Sequence, residues 1–340
     1  MAAKSAPSIT ILRTAAGSPP SVSQIQRFQE KGLRVVAVDS DPLAVGSVFA
    51  DAAYQVPLAT APGYVDELLD ICRTERVDWL VPNLDEELVL LSSNRHRFEA
   101  IGTRLLLSNT NTVAICTDKL KTSHFFARNG IPGPRTWDGQ SLPPLADLHP
   151  FPKIVKPRSG RGSTGVHLVH DWDELRFFLQ RTPAPVVQDF APGVEFTIDA
   201  LAGFDSNLLV ISPRRRIATD SGISSKGSCT WNEEIVYWVR KIIQLLPIVG
   251  PANIQCFLGD DANLVFTEVN ARIAGSCILT EAAGVPFFDG IIALLRGETP
   301  LPFLHPAPGH IMLRYWSEVY LTPEQAAQLT RNCHVAGSRI

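Results

Sequence analysis

Two groups of residues have the types and spacing to work on phosphates. The first lies in the stretch from Lys153 to Gly165, where Gly160, Gly162 and Gly165 fit the spacing G-x-G-x-x-G. A dinucleotide-binding turn with that spacing opens a helix. Here the β-type run Val166 to Val169 follows, so these glycines join two strands. Glycine still lets backbone N–H groups approach a phosphate closely, and Lys156, at the end of the first strand, adds a cation. A flexible hairpin without a ligand is the plain alternative.

The second group is Gln255 on one β-type run and Glu268, Asn270 and Arg272 on the next. Side chains two apart on a strand share a face, so the last three project together, with Gln255 almost opposite Glu268. One carboxylate and two amide oxygens are hard ligands suited to Mg²⁺ that arrives with nucleotide phosphates. Glu268 can bridge two ions, with Gln255 completing one and Asn270 the other. Arg272 is placed to neutralise a transferring phosphoryl group or an anionic substrate. Taken alone, the same four residues also read as the solvated face of a hairpin.

The elements that must position these residues alternate at first between strand and helix. β-type runs at 8–12, 34–38 and 78–81 are interleaved with helical segments at 21–31, 64–75 and 85–98, the signature of a parallel sheet covered on both faces. Thr117 reads as an N-cap with Asp118 in the first turn of a helix that runs to about Asn129. A proline-rich connection follows, and from Lys153 to Ile211 short β-type runs dominate. A helix is expected over 235–246. Gly259 to Asn263 has hairpin-turn chemistry between strands at 253–258 and 264–270.

The combination resembles the ATP-grasp superfamily, closest to the branch of the carbamoyl-phosphate synthase large subunit and biotin carboxylase. The resemblance covers roughly Ser8 to Thr299. It implies an α/β chain with an α+β lid: a parallel-sheet α/β domain over 8–115, the small lid over 116–200 and the larger, metal-bearing half over 201–300. A C-terminal extension over 301–340 has no assigned role. Lys119 corresponds to the family's first nucleotide lysine. Lys156 corresponds to the second, with Gly160, Gly162, Ser163 and Gly165 in the phosphate-covering flap. In the run from Val186 to Asp199, Gln188, Asp189, Phe190 and Ala191 correspond to the adenine-reading hinge and Glu195 to the ribose ligand. Gln255, Glu268 and Asn270 correspond to the metal set. Arg272, Lys156 and Asn270 would act on the transferring phosphoryl.

The implied activity is ATP- and Mg²⁺-dependent phosphorylation of a carboxylate, followed by attack of an amine or similar nucleophile with release of ADP and phosphate. The cation is one or two Mg²⁺, with Mn²⁺ as a substitute. An enzyme phosphorylating bicarbonate and a non-catalytic nucleotide-binding protein are the alternatives. Gln255 stands where many such ligases carry Asp or Glu, one charge fewer. About forty residues follow Pro300, less than the separate C-terminal domain of many members.

The 340 residues are 45% hydrophobic and 19% charged with a net charge of −3. That is a globular composition with no overall pull toward nucleic acid or an acidic membrane. No apolar stretch nears the ~18 residues of a membrane span, and the N-terminus lacks a signal-peptide pattern, so a cytoplasmic enzyme is expected; a homo-oligomer stays open. The six cysteines are scattered, and Cys229 and Cys277 near the site read as core thiols in the absence of a paired histidine. Asp85, Glu86 and Glu87 read as first-turn helix residues or as a substrate loop after a strand. Arg214, Arg215 and Arg216, with Lys226, read equally as an anion contact or as a solvated basic loop.

Overall fold

The computed structural model describes residues 9–298 and 305–332. The expected C-terminal extension is thus seen only in part: 301–304 and 333–340, Cys333 included, lie outside the described residues, as do residues 1–8.

The first unit alternates β1 (Thr10–Thr14), α1 (Ser21–Glu30), β2 (Arg34–Asp39), β3 (Ala52–Gln55), α2 (Tyr64–Glu75), β4 (Trp79–Val81), α3 (Asp85–Ser93), α4 (Arg95–Glu99) and β5 (Arg104–Leu105). Its strands form a parallel sheet in the order β3-β2-β1-β4-β5. Both faces are covered, as the continuous apolar runs require. Ile11, Val35, Ala37, Trp79 and Val81 enter one core, while Leu12, Val36, Val38 and Leu80 enter the other. The helix expected over 85–98 is broken at Asn94, which ends α3 and precedes α4.

Next come α5 (Thr110–Cys116), α6 (Lys119–Arg128), β6 (Thr136–Asp138), β7 (Lys153–Pro157), β8 (His167–Val169), α7 (Trp172–Leu179) and β9 (Pro185–Asp189). β6, β9, β7 and β8 form an antiparallel four-stranded sheet in that order. The cap of α6 is Asp118 rather than Thr117: its carboxylate accepts from the N–H groups of Leu120 and Lys121, and Thr117 instead closes α5.

The rest comprises β10 (Val194–Ala202), β11 (Leu208–Asp220), β12 (Ile223–Cys229), α8 (Glu233–Leu245), β13 (Gly250–Leu258), β14 (Leu264–Asn270), α9 (Ile278–Ala282), α10 (Phe287–Arg296), β15 (Ile311–Leu313) and α11 (Pro323–Asn332). The second sheet runs β14-β13-β10-β11-β12-β15. β10 belongs to it, so the change of sheet falls between Asp189 and Val194, and a division at residue 200 would cut a strand.

One face of this sheet packs Phe196, Ile198, Ile254, Cys256 and Phe266 on the apolar side of α8. α10 reaches back instead, adding Phe287, Phe288 and Ile291 to the core beneath β1 and β2. The first unit and the second sheet therefore share apolar interior. No helix among the described residues is long and apolar enough to cross a membrane.

Candidate active site

The polar face of the second sheet is built from register. Gln255 pairs with Glu268 on one side and Thr197 on the other, and Thr197 pairs with Arg214. One row over, Asn253 lies between Asn270 and Asp199. A β-bulge separates the Gln255–Glu268 pair from the Cys256–Phe266 pair and leaves Thr267 as the extra residue. Without it Phe266 and Glu268, two apart, would share a face. With it Phe266 and Val269 both enter the core while Glu268 and Asn270 point the other way. β14 stops at Asn270, so Arg272 is not on the strand as expected but in the turn after it, its N–H on the Asn270 carbonyl at 2.9 Å.

A cavity of about 220 Å³ lies between the two antiparallel sheets. β7 contributes Ile154 and Lys156, and the loop after it contributes Gly160, Gly162 and Ser163. The end of β9 supplies Gln188 and Asp189, the connection between the sheets Phe190 and Ala191, and the start of β10 Glu195; β13 and β14 supply Gln255 and Glu268. Lys119 enters from the start of α6, which is tied to the end of β7: Asp118 pairs with Arg158 at 2.8 Å, and the Lys119 N–H reaches the Arg158 carbonyl at 3.0 Å. Of the expected site residues, Gly165 does not border the cavity. It closes the loop's base, where a Cβ would meet the Pro157 ring at 3.1 Å. Asn270 and Arg272 border a second cavity of about 140 Å³, which opens toward the first unit.

Electrostatically the first cavity is built for an anion. Lys156 is 5% exposed, its Nζ is 3.7 Å from a Glu268 oxygen, and the Lys119 ammonium rests on the Gly160 carbonyl at 2.9 Å. Burial pulls Lys156 below the usual lysine range; Glu268 opposes that pull and Lys119 adds to it. Polyphosphate would relieve both penalties. Burial likewise lifts Glu195 above the ordinary carboxylate range, although Arg216 at 2.5 Å opposes it.

Among the described residues no group of three or more His, Cys, Asp and Glu could hold a metal. The Gln255, Glu268 and Asn270 set brings one negative charge, which fits a divalent cation whose remaining charge is met by phosphates. The Gln255 amide nitrogen donates to Asn253 Oδ1 at 3.4 Å, which leaves its Oε1 to serve as the acceptor.

Arg272 is more constrained than its type implied. Nε and one terminal nitrogen hold Asp85 at 2.8 and 2.7 Å, and the other terminal nitrogen reaches the Ile273 carbonyl at 3.4 Å. Asp85, Glu86 and Glu87 do occupy the first turn of α3, yet each also works at longer range. Asp85 anchors Arg272, Glu86 meets Arg161 of the glycine loop at 3.2 Å, and buried Glu87 accepts from Thr14, Tyr64 and the N–H groups of Asn83 and Leu84. The three arginines lie within β11, not in a solvated loop. Arg214 is buried on Asp199, and Arg216 borders both cavities with its Nε unpartnered.

Sequence reasoning passed over Asn83 and Asn253, which line the second cavity, and the β11–β12 turn. There a Cβ on Gly222 would sit 2.7 Å from Gly162 of the glycine loop. Nothing local in the sequence marks that contact. Cys229 and Cys277 are buried; burial pushes the Cys229 thiol up to about 11 and raises Cys277 as well, in keeping with core thiols.

Residues 116–276 match the family described as the ATP-grasp domain, and residues 11–106 match the PylC-like N-terminal domain. The carbamoyl phosphate synthase large chain of Pseudothermotoga lettingae is 23% identical over 327 residues. The alignment covers 90% of this chain but 28% of that one, so the chain spans little more than a quarter of that relative's length. Among solved structures, the biotin carboxylase domain of the Hydrogenobacter thermophilus 2-oxoglutarate carboxylase superposes with a TM-score of 0.70 at 16% identity, over 85% of this chain and 70% of that one. It was solved with MgADP, ADP and bicarbonate. The L-amino acid ligase of Bacillus licheniformis gives 0.66 at 22% identity, over 86% and 75%.

Proposed function

The chain is an ATP-grasp protein with a PylC-like N-terminal domain, and from that premise we propose that it is an ADP-forming ligase joining a carboxylate to an amine. The observation that carries this reading is the meeting of two cavities at Glu268, Gln255 and Arg216, with Lys119 and Lys156 gathered in the first of them. ATP takes the first cavity, its adenosine beside Gln188–Ala191 and Glu195 and its phosphates on Lys119 and Lys156. Gln255, Glu268 and Asn270 would hold one or two Mg²⁺ brought in with the nucleotide, which would supply neutralising positive charge at the phosphate oxygens.

The carboxylate waits in the second cavity. Its oxygen bonds to the γ-phosphorus as the bond to the β-phosphate oxygen breaks, giving acyl phosphate and ADP. Arg216, present in both cavities, is the cation beside the transfer; Arg272, held on Asp85, keeps the second cavity in shape. The amine nitrogen then attacks the acyl carbon, phosphate leaves with the former carboxylate oxygen, and the nitrogen gives its proton to solvent or phosphate. No strong general base is required, because phosphorylation has already made the leaving group.

The test is ADP release by the purified full chain with Mg²⁺ and ATP against pooled carboxylates and amines, with products identified by mass. Release that needs both pools and yields an amide supports the ligase. Release driven by bicarbonate alone would replace it with the bicarbonate-phosphorylating alternative, and tight ATP binding without turnover would leave a nucleotide-binding protein.

A further inference from the structure

Among the described residues, three buried polar atoms on side chains that line the second cavity have no hydrogen-bond partner: Asn83 Oδ1, Asn253 Nδ2 and Arg216 Nε. Asn83 is 9% exposed and Asn253 4%. Leaving such a group buried and unpaired forfeits the hydrogen bond it would make to water, so the cavity is built for an occupant that pairs them. The three atoms differ in kind and in place. Asn253 and Arg216 offer N–H donors from the second sheet, beside Glu268, where phosphoryl transfer is proposed to occur. Asn83 offers an oxygen from the first unit.

Asn83 follows β4, and Ser18 to Pro20, which follow β1, line the same cavity. In the order β3-β2-β1-β4-β5, the chain leaves β1 toward one edge and returns to build β4 on its other side. The carboxyl ends of β1 and β4 therefore flank a topological switch point, the place where open parallel sheets bind ligands. The Asn83 backbone is fixed there, its N–H shared between Thr14 Oγ1 at 2.8 Å and Glu87 Oε1 at 2.9 Å. Nearby carboxylates are engaged, Asp85 by Arg272 and Glu87 by Thr14 and Tyr64. Among the described residues of that wall, Asn83 Oδ1 is the buried side-chain acceptor left without a partner.

We propose that the second cavity takes a bipolar small molecule. Its carboxylate lies on Asn253 and Arg216 at the transfer end, and an N–H-bearing group, as in an amino acid, lies on Asn83 Oδ1. Asn83 is then a specificity-determining residue contributed by the N-terminal domain. The inference rests on the ligase reading and names its acceptor class.

The experiment pairs L-amino acids with their des-amino carboxylates, using the full chain, Mg²⁺, ATP and hydroxylamine as nucleophile, and reads ADP and hydroxamate. An amino acid should exceed its des-amino partner in kcat/KM by roughly ten- to a hundredfold, the worth of one hydrogen bond to a charged group. Asn83→Leu should bring that ratio to within about threefold. Asn83→Asp, which can present only oxygen, should keep the preference, and this gentler change serves if the leucine variant fails to fold. Equal turnover of both members of each pair, or an unchanged ratio in Asn83→Leu, overturns the inference and leaves the ligase standing. Loss of amino acid turnover in Asn83→Asp means that the wall donates and likewise overturns it. ATP binding without ADP release on any carboxylate overturns both.

Discussion

Replacing Lys156 with methionine removes one charge from the first cavity while nearly keeping volume. In the free protein that charge is buried at a cost: Lys156 is 5% exposed, and its nearest compensation is Glu268 at 3.7 Å. Removing it relieves the desolvation of the ammonium, and Glu268, whose side chain is 27% exposed, keeps contact with water. The two effects oppose each other, so the melting temperature should move by only a few degrees, about 1–2 °C per kcal/mol for a chain of this size. Nucleotide binding should respond far more. A desolvated cation in direct contact with phosphate is worth on the order of 2–4 kcal/mol when removed, a Kd weaker by roughly 30- to 1000-fold. An exposed lysine on a surface strand would change it by less than tenfold, its pairs being worth ~0–1 kcal/mol. Titration calorimetry with Mg²⁺–ATP on wild type and variant, beside thermal melts, separates these cases. NAD belongs in the same series and should not bind, because β8 rather than a helix follows Gly165, so the glycines do not open a helix onto a pyrophosphate. An unchanged ATP Kd in a variant that melts like wild type would refute the phosphate contact. Micromolar NAD binding would refute the reading of the loop.

Glu268→Ala, which takes from buried Lys156 its nearest compensating charge, should stay folded with a lower melting temperature and lose ATP turnover; ADP release at full rate would remove Glu268 from the metal set. Gly222→Val puts a Cβ 2.7 Å from Gly162 at φ +74°, a strain of roughly 1–2 kcal/mol, and should raise KM for ATP about tenfold by displacing the glycine loop. A lower melting temperature with an unchanged KM would show that the two tips do not support one another. Burial lifts Glu87 above the ordinary range, although its hydrogen bonds pull the other way. A raised folded pKa gives stability that is complete below the unfolded value near 4.5 and is lost as pH rises through the folded value. Wild type should therefore lose ground to Glu87→Gln as pH rises above 4.5 in paired melts; a difference independent of pH would mean that burial does not lift this carboxyl.

The parts of the site that follow from alternation and turn chemistry were readable in the residues. That Glu268 and Asn270 share a face needs only a count of two per pleat, whereas Gln255 faces Glu268 only because the Thr267 bulge shifts the register; the β-type run after Gly165 sufficed to exclude a dinucleotide turn. What escaped depends on contacts far apart in sequence. Arg272 looks free until Asp85, 187 residues away, takes two of its nitrogens. Arg214 to Arg216 look like a loop because charge dominates their local pattern, yet β10, the strand beside them, supplies Asp199 to pair Arg214 and Glu195 to pair Arg216. The Thr267 bulge has no composition of its own; it exists because Phe266 and Val269 both need the core. Thr117 and Asp118 can each cap a helix, and Arg158 favours the carboxylate.

The cavities share Arg161, Gly162, Arg216, Gly222, Gln255 and Glu268, so they adjoin along one common set of residues. That adjacency matters to anyone designing an inhibitor. A nucleotide head joined by a short linker to an acceptor-like tail would bind its second half intramolecularly, at an effective concentration in the millimolar range for a short flexible tether. Such a conjugate would gain potency from the tether even where the tail alone binds weakly, and its best linker length would measure the distance between the two halves of the reaction.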